Sequence, residues 1–228
     1  MSQVQILSPR PIHQRSVSGH RRTIRENLCH EALRLGRLLA ALMPQEPEVL
    51  GLLSLMLLID SRRAARLNHG GGIATLRQQN RALWNRDLIA EGEALLRVCL
   101  QRNEPGPYQL QAAINALHCR AASADAVDWT GILRLYEQLQ SMQPTPIVAL
   151  NRAVALAEVQ GPQTALELVD SLGLQDYYLF HAIRADLLGR LNRRPEAVAA
   201  YGRAMARTEN ALERDLLQQR LLALGQKP

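Results

Sequence analysis

The stretch LCHEALRLGRLLAALMPQEPEVLGLLSLMLLIDSRRAAR, residues 28–66, decides the fold. Leu28, Ala32, Leu35, Leu39 and Leu42 step alternately by four and three, the spacing of one helical face, so a first helix runs from near Thr23. Met43-Pro44 ends it and Glu46-Pro47 opens a second, Pro47 suiting a first helical position. Val49 to Ile59 is apolar on all sides, which places this helix at the centre of the N-terminal half. It stops abruptly in Asp60, Arg62, Arg63 and Arg66. The block holds no nucleophile–base pair, metal-ligand cluster or phosphate loop, and so reads as a packing or interaction module.

Outward from this block the chain stays helical. Asn68-His69-Gly70-Gly71-Gly72 is a loop with maximal backbone freedom, and helical patterning resumes near Gln78 and runs to about Gln101. Pro105-Gly106-Pro107 then divides the two halves. Beyond it, Arg120-Ala121, Arg152-Ala153 and Arg184-Ala185 recur at intervals of 32 residues. Each pair is followed by a second patterned helix: Ile132, Tyr136, Leu139; Ala165, Val169, Leu172; Ala197, Tyr201, Ala204. Small residues at a helix crossing with large ones a turn away are what a stacked helical hairpin requires. Three hairpins follow, with Glu209 to Leu224 as a capping helix. Ala185, Leu188, Ala197, Tyr201 and Ala204 resemble the tetratricopeptide frame, two residues short of its period. The expectation is an all-α fold, a helical hairpin array whose C-terminal half is a tetratricopeptide-like right-handed superhelix.

Composition agrees and narrows the function classes. One Phe, two Trp and five Tyr among 228 residues leave little material for a sheet. The formal charge of +6 suggests nucleic acid until the charges are placed. Arg10, Arg15, Arg21, Arg22 and Arg25 all precede the first acid, Glu26, so the first 25 residues carry +5 and the rest is nearly neutral. Cys29, Cys99 and Cys119 are odd in number and sit within helical patterns, as expected of reduced core thiols in a cytoplasmic protein. No run reaches the ~18 apolar residues of a membrane span, and no signal peptide is visible. Neither a cofactor nor a membrane is expected as a partner.

Four ordered blocks carry a family likeness: Leu28 to Arg37, Leu57 to Arg66, Pro105 to Ile114 and Leu150 to Ala155. Together they resemble the C-terminal extension of extracytoplasmic-function (sigma-24-type) RNA polymerase sigma factors, from about Arg25 to the end. The resemblance implies a helical, tetratricopeptide-like region behind two promoter-reading domains, acting in transcription initiation through RNA polymerase or sigma-factor regions. Only a short basic segment precedes Arg25, so the chain is expected to be the extension alone, without sequence-specific DNA contacts of its own. Family members show acids where this chain has Arg77, Gln78, Asn80 and Asn85, which weakens transfer of any site in that loop. The expected organisation is a disordered basic lead-in over 1–24, an N-terminal helical subdomain over 25–103, and three hairpins plus a cap over 104–228.

Candidate sites follow from spacing. Tyr108, Gln111, Asn115 and His118 form one polar stripe that either lines a groove for a peptide or small ligand or is a solvated face. Asn151 interrupts an apolar run, and with Arg152 and Arg184 it builds a ladder able to fork onto an acidic peptide, unless each Arg pairs with acids such as Glu158 or Asp186. Asp60, Arg62, Arg63 and Arg66 are either a docking patch or a helix end whose cations complement the dipole. Asp87 and Glu91 are the one carboxylate pair worth weighing, but no His lies at a helical step from them, so no metal and no catalytic residue is expected. The reading is a regulatory or interaction domain of a sigma factor, not an enzyme. The alternative is a free-standing scaffold for an acidic peptide or small ligand.

Overall fold

The computed structural model of the protein describes residues 20–68 and 70–225. Among these there are ten α-helices: α1 (His20–Leu42), α2 (Pro47–Asp60), α3 (Arg86–Arg102), α4 (Pro107–Arg120), α5 (Trp129–Met142), α6 (Pro146–Val159), α7 (Pro162–Asp170), α8 (Tyr178–Arg190), α9 (Arg194–Arg207) and α10 (Ala211–Gly225). The fold is all-α, a helical repeat array. Most of the expected lead-in lies outside the described residues, and the first helix begins at His20, three residues ahead of the Thr23 read from periodicity. Proline stands at the first turn of α2, α4, α6, α7 and α9, where its missing N–H has no helical partner to lose.

The described residues form two compact units, residues up to 65 with 80–143, and residues 66–79 with 144–225. The Pro105-Gly106-Pro107 break therefore falls inside a unit: α4 packs on α2 and α3 as well as on α5. In this first unit α2 is central, packed against α1, α3 and α4, as its all-round apolar sequence demands. Two glycines permit the close approach. A Cβ on Gly51 would stand 2.8 Å from the backbone nitrogen of Gln109, and one on Gly92 would stand 2.9 Å from Leu58. At the second crossing Ser54 donates to the Gly92 carbonyl at 2.7 Å, bonding helix to helix where no side chain separates them.

Helix α1 departs from its sequence reading. Its inward residue is Leu33, which packs with Leu53 and Leu57, supported by Ala40 and Met56. Leu28, Leu35, Leu39 and Leu42, the periodic face, are exposed. Two apolar stripes exist on α1, and the one holding the small residues Gly36 and Ala40 allows the closer approach to α2, with a Cβ on Gly36 only 3.2 Å from Leu53. Periodicity identified the helix but could not choose between its two stripes.

The second unit contains the regular repeat. Helices α6 and α8 begin 32 residues apart, as do α7 and α9. Ala153, Ala165, Ala185, Ala197 and Ala204 are fully buried where the helices cross, with Tyr201 and Leu188 filling the core between them. The turns use left-handed residues, Gly161 at φ 92° and Asn192 at φ 59°. Helix α10 closes the end, seating Leu217 against α9 and partly covering Leu221 and Leu224. Arg120-Ala121 is not equivalent to the other two Arg-Ala pairs: Arg120 ends α4, whereas Arg152 and Arg184 lie mid-helix in α6 and α8. The α4–α5 connection is longer than the turn within the later hairpins, which shifts the register. Leu67 and Ile73 form an antiparallel bridge, and the Asn68 side chain accepts from the backbone of Gly70 and Gly72.

Candidate functional site

Two motifs expected to act separately meet in the first unit. After α2 ends at Asp60, a short 3-10 turn (Arg63–Ala65) swings the chain round, and Arg62 turns inward until only 8% of it is exposed. Its guanidinium donates to Oδ1 of Asn115 on α4. Asn115 in turn donates to the Gln111 carbonyl one helical turn back, at 2.9 Å. The docking-patch arginine and the polar-stripe asparagine are thus a buried pair. Arg63 stays at the helix end, where it donates to Asp60 at 3.1 Å and lies 3.1 Å from Nε2 of His30. The Arg66 carbonyl accepts from Ala74, closing the base of its loop.

His118 lies on the same face of α4 and is 1% exposed, its ring edge-on to Trp129 of α5 at 5.4 Å between centroids. Neither ring nitrogen has a hydrogen-bond partner. Burial, with Arg62 and Arg81 adding to it, holds the imidazole far below the ordinary histidine range, at about 3, so the ring is neutral at physiological pH. Arg81 lies 4.3 Å above the Trp84 ring and donates to the carbonyls of His118 and Ala121, both at 2.9 Å. A cation at the last carbonyls of α4 answers the negative end of the helix dipole. Next in sequence, the Cys119 thiol is raised by burial and stays protonated, 4.0 Å from the Ser61 hydroxyl, which donates to the Leu58 carbonyl. The knot therefore holds a neutral histidine, a protonated thiol and two arginines, all committed to holding α2, α4 and the Arg81 turn together.

The remaining candidates disperse. Tyr108 is exposed at the start of α4, and its backbone N–H donates to Glu48 of α2 at 2.9 Å. Glu48 also accepts from the backbone and side chain of Gln109, capping α4 from another helix. No sequence signal marked Glu48, although Gly106 hinted at it: a cap position without a side chain needs an outside acceptor, and a Cβ there would collide with the Glu48 carboxylate. In the second unit Asn151 is buried on α6 and the Arg152 Nε lacks a hydrogen bond, while Arg184 donates to Asp170 at 2.7 Å. Glu158 is engaged by Arg190 at 2.8 Å. Arg120, in the first unit, pairs with Glu93 at 2.8 Å. Glu91 is held bidentately by Arg37, a contact that lowers its carboxyl below the usual range, and Asp87 heads α3 beside its Asn85 cap. Among the described residues no three His, Cys, Asp or Glu side chains are grouped as metal ligands. Among them, too, no helix is long and apolar enough to cross a membrane.

Residues 14–100, from before α1 to near the end of α3, match a family of unknown function (DUF6596). No solved structure matches the chain. An uncharacterized protein, R00370 of Rhizobium meliloti (strain 1021), is 44% identical over 204 residues, 89% of this chain and 48% of its own length. The chain spans about half the length of the curated relative that it resembles.

Proposed function

We propose that this chain is the C-terminal regulatory module of an extracytoplasmic-function sigma factor, a helical module that modulates transcription initiation through contacts with sigma-factor regions or RNA polymerase rather than through chemistry. The observation that carries the reading is the relative's length: close likeness over nearly all of this chain takes up only 48% of that protein, leaving about as much again for promoter-reading domains. The blocks behind the resemblance also serve as structure. Leu57 to Arg66 and Pro105 to Ile114 lie on elements joined by the Arg62–Asn115 pair, the Glu48 cap and the Gly51 crossing, as befits a scaffold that presents surfaces.

The test is direct. The purified chain is immobilised and titrated with core RNA polymerase, and separately with the unmatched half of the relative, which is also assayed for promoter-dependent transcription with that core. Binding to either, with a change in transcript yield when the chain is added, is expected. An unmatched half that supports no promoter-dependent transcription, or no binding at ~100 µM, overturns the proposal. A second reading, a scaffold for acidic peptides, is favoured by the buried Arg152 Nε that has no protein acceptor. Under it, Arg152→Ala abolishes capture of an acidic peptide while leaving thermal unfolding nearly unchanged.

A further inference from the structure

Helices α6 and α8 are successive copies of one element, and each carries an arginine as its seventh residue, Arg152 and Arg184. The two guanidiniums are used differently. Arg184 donates side-on to Asp170, Nε to Oδ1 at 2.7 Å and Nη2 to Oδ2 at 3.4 Å. Asp170 is the last residue of α7, the helix that precedes α8. The helix that precedes α6 in the chain ends in Leu139-Gln140-Ser141-Met142, without an acid. Arg152 Nε, the counterpart of the nitrogen that makes the shorter Arg184 bond, is enclosed and has no hydrogen-bond partner among the described residues. Arg152 as a whole is half-buried, so solvent reaches part of it.

We infer that Arg152 is a docking point for a single Asp or Glu side chain of a partner protein, held side-on as Arg184 holds Asp170. The inference rests on the acidic-peptide reading given above and narrows it to a side-chain carboxylate on one arginine. An arginine stays charged at any working pH, and its planar fork fits both oxygens of a carboxylate. An enclosed N–H without an acceptor is destabilising, and a carboxylate arriving side-on supplies the acceptor. The residues one turn away on α6, Val148, Ala149, Ala155 and Leu156, are apolar and at least half-buried. They offer no competing side-chain acceptor, and their low polarity strengthens a charge pair formed beside them. Arg184 is already filled by Asp170, so the two arginines do not act together as a ladder. Arg184 is instead a second site of the same kind, closed from within.

The test follows the arginine Nε–H signals of the full chain by heteronuclear NMR. The probes are an end-blocked peptide with a single Glu and its Gln counterpart. The Glu peptide should move the Arg152 signal towards the position of the Arg184 signal, with a Kd of ~1–10 mM, as one charge-assisted pair implies. The Gln peptide should move neither. Arg152→Gln should remove the responding signal. Asp170→Ala empties Arg184, whose signal should then follow the Glu peptide as that of Arg152 does. The Arg184–Asp170 side chains are 20% and 44% exposed, so this variant should keep nearly the wild-type unfolding midpoint, which shows that it folds. An unmoved Arg152 signal, an equal shift of the exposed Arg134 on α5, or a silent Arg184 in Asp170→Ala overturns the inference. So does a peptide whose free chain end moves Arg152 when the blocked Glu peptide does not. If the immobilised chain captures a long acidic peptide while the single Glu leaves Arg152 unmoved, the acidic-peptide reading stands and this inference fails. If neither peptide binds, both fall.

Discussion

Replacing His118 by Phe tests the buried knot most sharply. The neutral imidazole is stabilised in the fold relative to its charged form, with a pKa of about 3 against 6.5 for the exposed side chain. Protonation therefore favours the unfolded chain. The group's contribution is intact above pH 6.5 and is lost progressively as pH falls from there towards 3. Between pH 7.5 and pH 5.0 this one residue costs about 2 kcal/mol of stability. Both tryptophans of the chain, Trp84 and Trp129, lie in the same unit, and Trp129 touches the ring, so fluorescence-detected urea unfolding reports on this unit directly. His181 is also held below its usual range, chiefly by burial, but it lies in the other unit. The loss of unfolding free energy between pH 7.5 and 5.0 should be about 2 kcal/mol smaller in His118→Phe than in the wild type. Phe keeps the edge contact with Trp129 and removes two nitrogens without partners, so stability at pH 7.5 should hold or rise. Equal pH dependence in the two proteins would refute the reasoning, because it would mean that the ring titrates in the fold as freely as in water.

Other outcomes follow from the same geometry. Glu48→Ala leaves the first N–H groups of α4 without their acceptor and should lower stability by about 1 kcal/mol, read from the urea midpoint; a wild-type midpoint would remove the capping role. Gly51→Ala drives a methyl into the Gln109 backbone and should cost at least about 2 kcal/mol in the same assay. Arg62→Ala leaves Asn115 buried without its donor and should cost about 1–3 kcal/mol in the urea midpoint, and Asn115→Asp should cost more in the Arg62→Ala background than beside the intact arginine. Tyr201→Ala should destabilise the α6–α10 unit by about 3–5 kcal/mol, seen as faster amide exchange in α8 and α9 with residues 86–143 unaffected.

How much of this was legible varies with the range of the interaction. Helix α2 was read correctly as central because an all-round apolar helix has no face to offer water. The α6–α9 repeat was visible because small residues at crossings leave a period of 32. Arg120 misled because an equal interval along the chain is not an equal position in a helix once the preceding turn is longer. Among the candidates, Asn115 and His118 were grouped correctly on one face of α4, but a polar stripe looks the same whether solvent or Arg62 meets it.

By itself, then, the sequence determined the all-α fold, the proline-marked helix starts and the stacking of the later hairpins, since proline at helix starts, left-handed turn residues and helical periodicity act within a few residues, whereas the helix read from near Gln78 begins only at Arg86, after the Asn85 cap. The tertiary structure alone decided which stripe of α1 is buried, that Arg62 faces the core, and that Glu48 caps a helix about sixty residues away. Each of those outcomes depends on which surface arrives opposite, and the steric room left by Gly36, Gly51 and Gly106 settles it only once the helices have packed.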